Sequence, residues 1–155
     1  MGAGDCVILN LGAGKRLMTG PNAVNHDLVQ HSPAISIIHD LNVTPWPWGD
    51  DSFDEIQAIS VFEHLKLTLI ESLDECWRIL KPGGKLVVKY PLAGGPTAHA
   101  DPTHRWEWDE GVTDYVDPRT LAGQVYDYYT PRKWEILDRG VIKGRNVKVV
   151  MRPVK

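Results

Sequence analysis

Val7-Ile8-Leu9-Asn10-Leu11-Gly12-Ala13-Gly14 is a short apolar run that breaks into a glycine-x-glycine turn. Such a run reads as a buried parallel strand of an α/β sheet, delivering a loop to the carboxyl end where ligands bind. Glycine there permits a tight turn and close backbone approach. A dinucleotide fingerprint needs Gly or Ala at the sixth position of G-x-G-x-x-G, and Leu17 stands there after Lys15 and Arg16. A diphosphate cofactor, and with it a nicotinamide dehydrogenase, therefore loses support. An ordinary strand-to-loop turn is the bland alternative.

Downstream, Lys15 to Pro21 leaves no room for the crossover helix that usually separates parallel strands. Ala23 to Leu28 is the next extended stretch, with Asp27 near its end, placed to accept hydrogen bonds from ribose hydroxyls. Ile35 to Leu41 is a third, β-branched run that again reaches an acid, Asp40. Asn42 to Asp51, with two prolines and a glycine, is a loop, and Phe53 to Ser60 a fourth strand leading into Phe62-Glu63-His64-Leu65. From Leu65 to Leu80 the apolar spacing becomes helical, until Lys81-Pro82-Gly83-Gly84 stops it. Lys85 to Tyr90 is a fifth strand; 91–130 is irregular; Lys133 to Asp138 and Asn146 to Met151 read as a terminal antiparallel hairpin.

The length of 155 residues suits a single domain, with a core over 6–90, a substrate or lid segment over 91–130 and a hairpin over 131–155. A net charge of −3 argues against a broad nucleic-acid or acidic-membrane surface. No secretory leader or 18-residue apolar window is legible, so a soluble, cytoplasmic protein is expected. Cys6 and Cys76 lack metal or disulfide spacing and read as core thiols. Trp46, Trp48, Trp106 and Trp108 fall in connecting segments, where a large aromatic suggests a site or interface, or a cap on a small core.

Leu9 to Gly14, Asp50 to Ile56 running into Phe62 to Leu65, and above all Trp77-Arg78-Ile79-Leu80-Lys81-Pro82-Gly83-Gly84-Lys85-Leu86 resemble the class I S-adenosylmethionine-dependent methyltransferases, within them the small methyltransferase-11-like group. The resemblance implies an α/β, Rossmann-like, mostly parallel seven-stranded sheet with an antiparallel C-terminal hairpin and the first crossover helix shortened or missing. It implies a cofactor, S-adenosyl-L-methionine, held by Gly12, Ala13 and Gly14, by Asp27 and Leu28 at the ribose, by Asp40 and Leu41 at the adenine, and by Ser60, Glu63 and His64. Asn10 stands where many members place an acid, leaving a weaker or water-relayed contact with the methionine amino group. This cofactor has no diphosphate, which accounts for the missing third glycine.

Methyl transfer is an in-line displacement at an activated sulfonium carbon, so positioning dominates, and a hydroxyl or ammonium nucleophile also needs a base. The expected catalytic residues are His104 as base and Asp101 as its orienter, with Arg105 beside an anionic acceptor. Asp-Pro-Thr-His is also a good turn. His99, Asp101 and His104 lack a fourth ligand, and no metal is expected. A small molecule, sugar or other metabolite under Trp106 and Trp108 is the expected acceptor. The alternative is a non-catalytic cofactor- or partner-binding module on a shortened methyltransferase scaffold. The uncovered methionine end gives a reason to expect a homodimer.

Overall fold

A computed structural model describes residues 4–155. Seven strands form one sheet: β1 (Ile8–Leu11), β2 (Ala23–Asp27), β3 (Ile37–Ile38), β4 (Phe53–Ile59), β5 (Leu80–Pro91), β6 (Lys133–Ile142) and β7 (Asn146–Val154). Their order is β3-β2-β1-β4-β5-β7-β6, with β1 to β5 mutually parallel and β7 antiparallel to both its neighbours. The Rossmann-like sheet expected from the sequence is thus present, including its C-terminal hairpin. Lys143 and Gly144 close that hairpin with φ of 51° and 64°, the left-handed pair that matches strand twist.

The helices are few. α1 (Leu69–Ile79) buries Leu69, Leu73, Cys76 and Ile79 on one stripe. α2 (Leu121–Val125) and three short 3-10 turns, Phe62–His64, Glu110–Val116 and Asp127–Tyr129, complete the set among the described residues. The β1-to-β2 step runs across the sheet in the opposite direction to the β4-to-β5 step, so right-handed crossovers lie on opposite faces. α1 covers the β4-to-β5 side; the 12–22 connection contains no helix.

The strands are patterned for a sheet covered on one face. Leu9, Ile56, Leu86 and Met151 stand in register across β1, β4, β5 and β7 and are fully buried. One residue on, the other face presents Asn10, Gln57, Val87 and Val150, flanked by Glu55, Lys85, Lys89 and Lys148. Lys85 and Glu55 meet there at 3.3 Å. A parallel sheet covered on both faces reads as continuous apolar runs; this alternation belongs to a sheet with one wet side.

The structure corrects several expectations. β3 shrinks to two residues, and α1 starts at Leu69 because Thr68 and Glu71 form its cap. β5 starts at Leu80, since Leu80 already pairs with Phe53 and the register shifts before Glu55 meets Lys85. Trp46, 2% exposed, and Trp48 are core and cap rather than site: Trp48 lies edge-on to Trp46, Phe53 and His26. Their loop fills the place of a helix and is tied to α1, with Trp46 N–H donating to Glu75 (2.7 Å) and Arg78 donating to the carbonyls of Trp46 and Trp48. Cys6 is exposed, not a core thiol; Cys76 is buried. Among the described residues no helix is long and apolar enough to cross a membrane.

Candidate functional site

A cavity of about 290 Å³ opens at the carboxyl ends of β1, β2 and β4. β1 and β4 are neighbours whose chains leave in opposite directions, the switch point where open α/β sheets bind ligands. From β1 come Gly12 and Gly14, from β2 His26, Asp27 and Leu28, from β3 His39 to Asn42, and from β4 Ser60, Val61, His64 and Leu65. Gly12, at φ +55°, lets the loop turn under Val61: a Cβ there would lie 2.8 Å from Val61 Cγ2. Gly14, at φ +53°, would meet only Gly12 O at 3.9 Å, so its missing side chain leaves cavity space. Ser60 holds φ +58°, a costly conformation for a serine, at the point where β4 enters the site.

Asp27 ties the glycine loop to β2. Its Oδ2 accepts from Gly14 N–H (2.8 Å) and meets His31 Nε2 (3.0 Å), while Oδ1 accepts from Leu28 N–H (2.7 Å). Burial pushes the carboxyl up, and the donors from Gly14, Leu28 and His31 together hold it below its ordinary value. His26, absent from the sequence expectations, braces the same loop: Nδ1 accepts from Gly12 N–H (3.1 Å), leaving Nε2–H to donate to His39 O (2.8 Å). Burial lowers its pKa, in keeping with a neutral ring.

Of the residues expected at the cofactor, Gly12, Gly14, Asp27, Leu28, Asp40, Leu41, Ser60 and His64 line this cavity. Asn10, Ala13 and Glu63 do not. Alternation along β1 turns Asn10 to the helix-free face, where its Nδ2 donates to Arg16 O (2.7 Å) and Asn25 Oδ1 (2.9 Å). Ala13 supplies a backbone N–H to His26 O. His26, His39, Asn42, Val61 and Leu65 line the cavity without having been singled out. His26 and His39 each precede a chosen acid, the available signal for them.

Glu63 points into a second cluster. It is fully buried, neither carboxylate oxygen has a hydrogen-bond partner, and burial pushes its pKa up to about 7. His64 Nε2 and His104 Nε2 each lie 3.9 Å from Glu63 Oε1. The two rings meet edge to face with centroids 4.7 Å apart. His104 lines a smaller cavity of about 160 Å³ with Ala98, His99, Asp101, Arg105, Trp106 and Glu107. The expected orienting of His104 by Asp101 is corrected. Asp101 Oδ1 accepts from Thr103 Oγ1 (2.7 Å), which faces His64 Nδ1 (2.7 Å), whereas Ala98 O holds His104 Nδ1 (3.0 Å). Trp106 borders this cavity, and Trp108 stacks behind it, mostly buried.

Residues 17–88 match the methyltransferase-11 family model, described as a methyltransferase domain. The glycine loop precedes the matched span and rests on the geometry above. No curated protein sequence matches the chain. Among solved structures, the putative methyltransferase from Haloferax volcanii in complex with the activator Trm112 is similar at 14% identity and TM-score 0.68, over 97% of this chain and 83% of that one. A S-adenosylmethionine-dependent methyltransferase from Archaeoglobus fulgidus matches at 13% identity and TM-score 0.64, over 96% and 86%. The cyclase SpnF matches at 15% and 0.64, over 97% and 76%. The matched core and the strand order agree: residues 17–88 resemble a methyltransferase domain of the methyltransferase-11 group, and the sheet has the fold of these methyltransferase structures.

Proposed function

We propose that the chain binds S-adenosyl-L-methionine in the cavity at the β1–β4 junction and transfers its methyl group to a small-molecule acceptor, a sugar or similar metabolite, held along residues 98–107. One observation carries this reading. The cavity brings Gly12, Gly14, Asp27 and Asp40 to the switch point, and His64 links it to the cavity that His104 lines. The space left by Gly14 and the carboxylates at the ends of β2 and β3 suit an adenosine. Asp27 would accept from ribose hydroxyls, Asp40 and Leu41 would flank adenine, and Ser60 and His64 would close the methionine side.

The bound cofactor supplies a methyl group already activated on sulfur, so the protein's task is to align an acceptor. An acceptor hydroxyl must lose its proton. His104 Nε2 is the group placed to take it, because the other ring nitrogen faces Ala98 O.

Titration calorimetry with S-adenosylmethionine and S-adenosylhomocysteine tests the reading. Saturable one-site binding of both is expected, weakened roughly 10- to 100-fold by Asp27→Asn, the scale of losing hydrogen bonds to a charged group. Asn keeps one acceptor for the loop, so the circular dichroism spectrum should be unchanged. No binding of either compound by folded protein would overturn the assignment.

A second reading is favoured by Asn10. Its amide is engaged by Arg16 O and Asn25, so no β1 side chain reaches the cavity for the cofactor's amino group. On this reading the chain is a cofactor- or partner-binding module without turnover, and the Haloferax neighbour's assembly with an activator protein fits it. Binding without methyl transfer to any of a panel of hydroxyl and amine acceptors would favour it.

A further inference from the structure

Acceptor atoms without hydrogens converge between the two cavities. Ala98 O, which can only accept, lies 3.0 Å from His104 Nδ1, so that ring carries its proton on Nδ1 and turns a bare lone pair inward from Nε2. Thr103 has one hydroxyl hydrogen, and it is directed to Asp101 Oδ1 at 2.7 Å. His64 Nδ1, 2.7 Å from the same hydroxyl oxygen, must therefore donate to it, and its Nε2 is bare as well. Both Nε2 atoms face Glu63 Oε1 at 3.9 Å.

Lone pairs gathered this way repel one another, and a buried carboxylate without a partner is costly. A cation at their centre removes both costs. We propose that Glu63, His64 and His104 form a binding site for a divalent transition-metal ion of the zinc type.

The ligand chemistry sets the class of ion. Two imidazoles and a carboxylate suit zinc and its neighbours, whereas magnesium and calcium prefer oxygen ligands throughout. Ligand atoms around a tetrahedral ion with bonds of about 2.0–2.1 Å stand roughly 3.3 Å apart. The three atoms here lie within 4.8 Å of one another, and the two Glu63 pairs at 3.9 Å need close by only a fraction of an ångström. Both histidines already have the outer hydrogen bonds that fix a metal-binding tautomer, to a backbone carbonyl and to a hydroxyl anchored on a carboxylate.

The fold builds the site from distant segments. Arg105 N–H donates to Glu63 O at 2.7 Å, docking the 101–106 loop against the turn after β4. Three protein ligands leave further coordination positions, and the cluster adjoins both cavities, His64 lining the one at the β1–β4 junction and His104 the one at residues 98–107. An acceptor oxygen could fill one of them, and His104 would then act on it through the ion instead of as a free base. That last clause rests on the proposed methyl transfer; the metal site itself does not.

The test uses untagged full-length protein with Cys6→Ser, to remove an exposed thiol, and no S-adenosylmethionine. Cobalt(II) absorption and zinc calorimetry are expected to show one saturable equivalent. Glu63→Gln, His64→Ala and His104→Ala should each weaken binding at least tenfold, while His99→Ala and His31→Ala leave it unchanged. Circular dichroism confirms folding of each variant, and Glu63→Gln is the one closest in shape to the original. Absence of saturable binding, binding undiminished in the folded cluster variants, or tighter binding of magnesium than of zinc would each overturn the proposal. Because the readout is metal binding alone, failure here is separable from failure to bind the cofactor.

Discussion

Asp117 shows how one side chain can hold two elements together. Its carboxylate is nearly inaccessible and accepts from the Arg119 guanidinium, from Arg119 N–H (2.9 Å) and from Ile136 N–H (2.9 Å), locking the 110–125 segment to β6. Burial pushes the carboxyl up, but the Arg119 and Ile136 donors outweigh it and the pKa lies below its ordinary value of 3.8. A depressed folded-state pKa stabilises the native state above the unfolded value and is lost as pH falls through the folded one. Asp117→Asn should therefore cost about 2–3 kcal/mol at pH 7, measured by urea unfolding, and the deficit should shrink below about pH 4. A deficit independent of pH would assign the cost to packing. At this scale the sequence was legible where order along the chain determines position: Gly12, Gly14, Asp27 and Ser60 each follow a recognisable strand. It was illegible where contact depends on a remote backbone bond. Glu63 and His104 meet through bonds between segments remote in sequence, Arg105 N–H to Glu63 O and Trp106 Nε1–H to Leu65 O among them. Asn10 was misplaced because a side chain's face depends on strand parity.

α1 begins with a reciprocal cap. Glu71 N–H donates to Thr68 Oγ1 (3.2 Å), and the Glu71 carboxylate accepts from Thr68 N–H (2.7 Å). Both donors would otherwise be unsatisfied at the helix start. Thr68→Ala is expected to lower stability by about 1 kcal/mol in thermal or urea unfolding, with Ser restoring most of it. A loss within error would mean that packing of Leu69 and Leu73 alone sets the start. The threonine and glutamate spacing is itself a readable signal, so the expected start at Leu65 erred by following the apolar stripe past the cap. The other boundary errors share a physical cause: neighbours decide them. β5 extends back through Pro82 and Gly83 because Phe53 is available to Leu80. The tryptophan loop reads as irregular from its prolines, yet Glu75 and Arg78 of α1 hold it through hydrogen bonds to its backbone.

The molecule as a whole is a mostly parallel sheet with one apolar, covered face and one polar, partly open face. Adjacent β4 positions should therefore respond very differently to truncation. Ile56→Ala, on the covered face, should cost about 2–5 kcal/mol, and Gln57→Ala, on the other, no more than about 0.5 kcal/mol. Similar losses at the two sites would mean that something covers the second face in solution. The alternation that encodes this was present in β4, β5 and β7, but a strand-to-strand order of parallel type leads one to expect two covered faces. Missing crossover helices also divide the sheet by range. Ile8 pairs with Ala23 and His26 with Ile37, short reaches for parallel strands, whereas Ile8 meets Glu55 and Leu86 meets Met151 only over long ones. Local pairings close early in folding, and distant ones wait on loop closure. The ligand cavity straddles the long-range seam between β1 and β4. A compound that touches Gly12 on one side and Ser60 on the other would act as a clasp across two strands that the chain brings together only over a long loop.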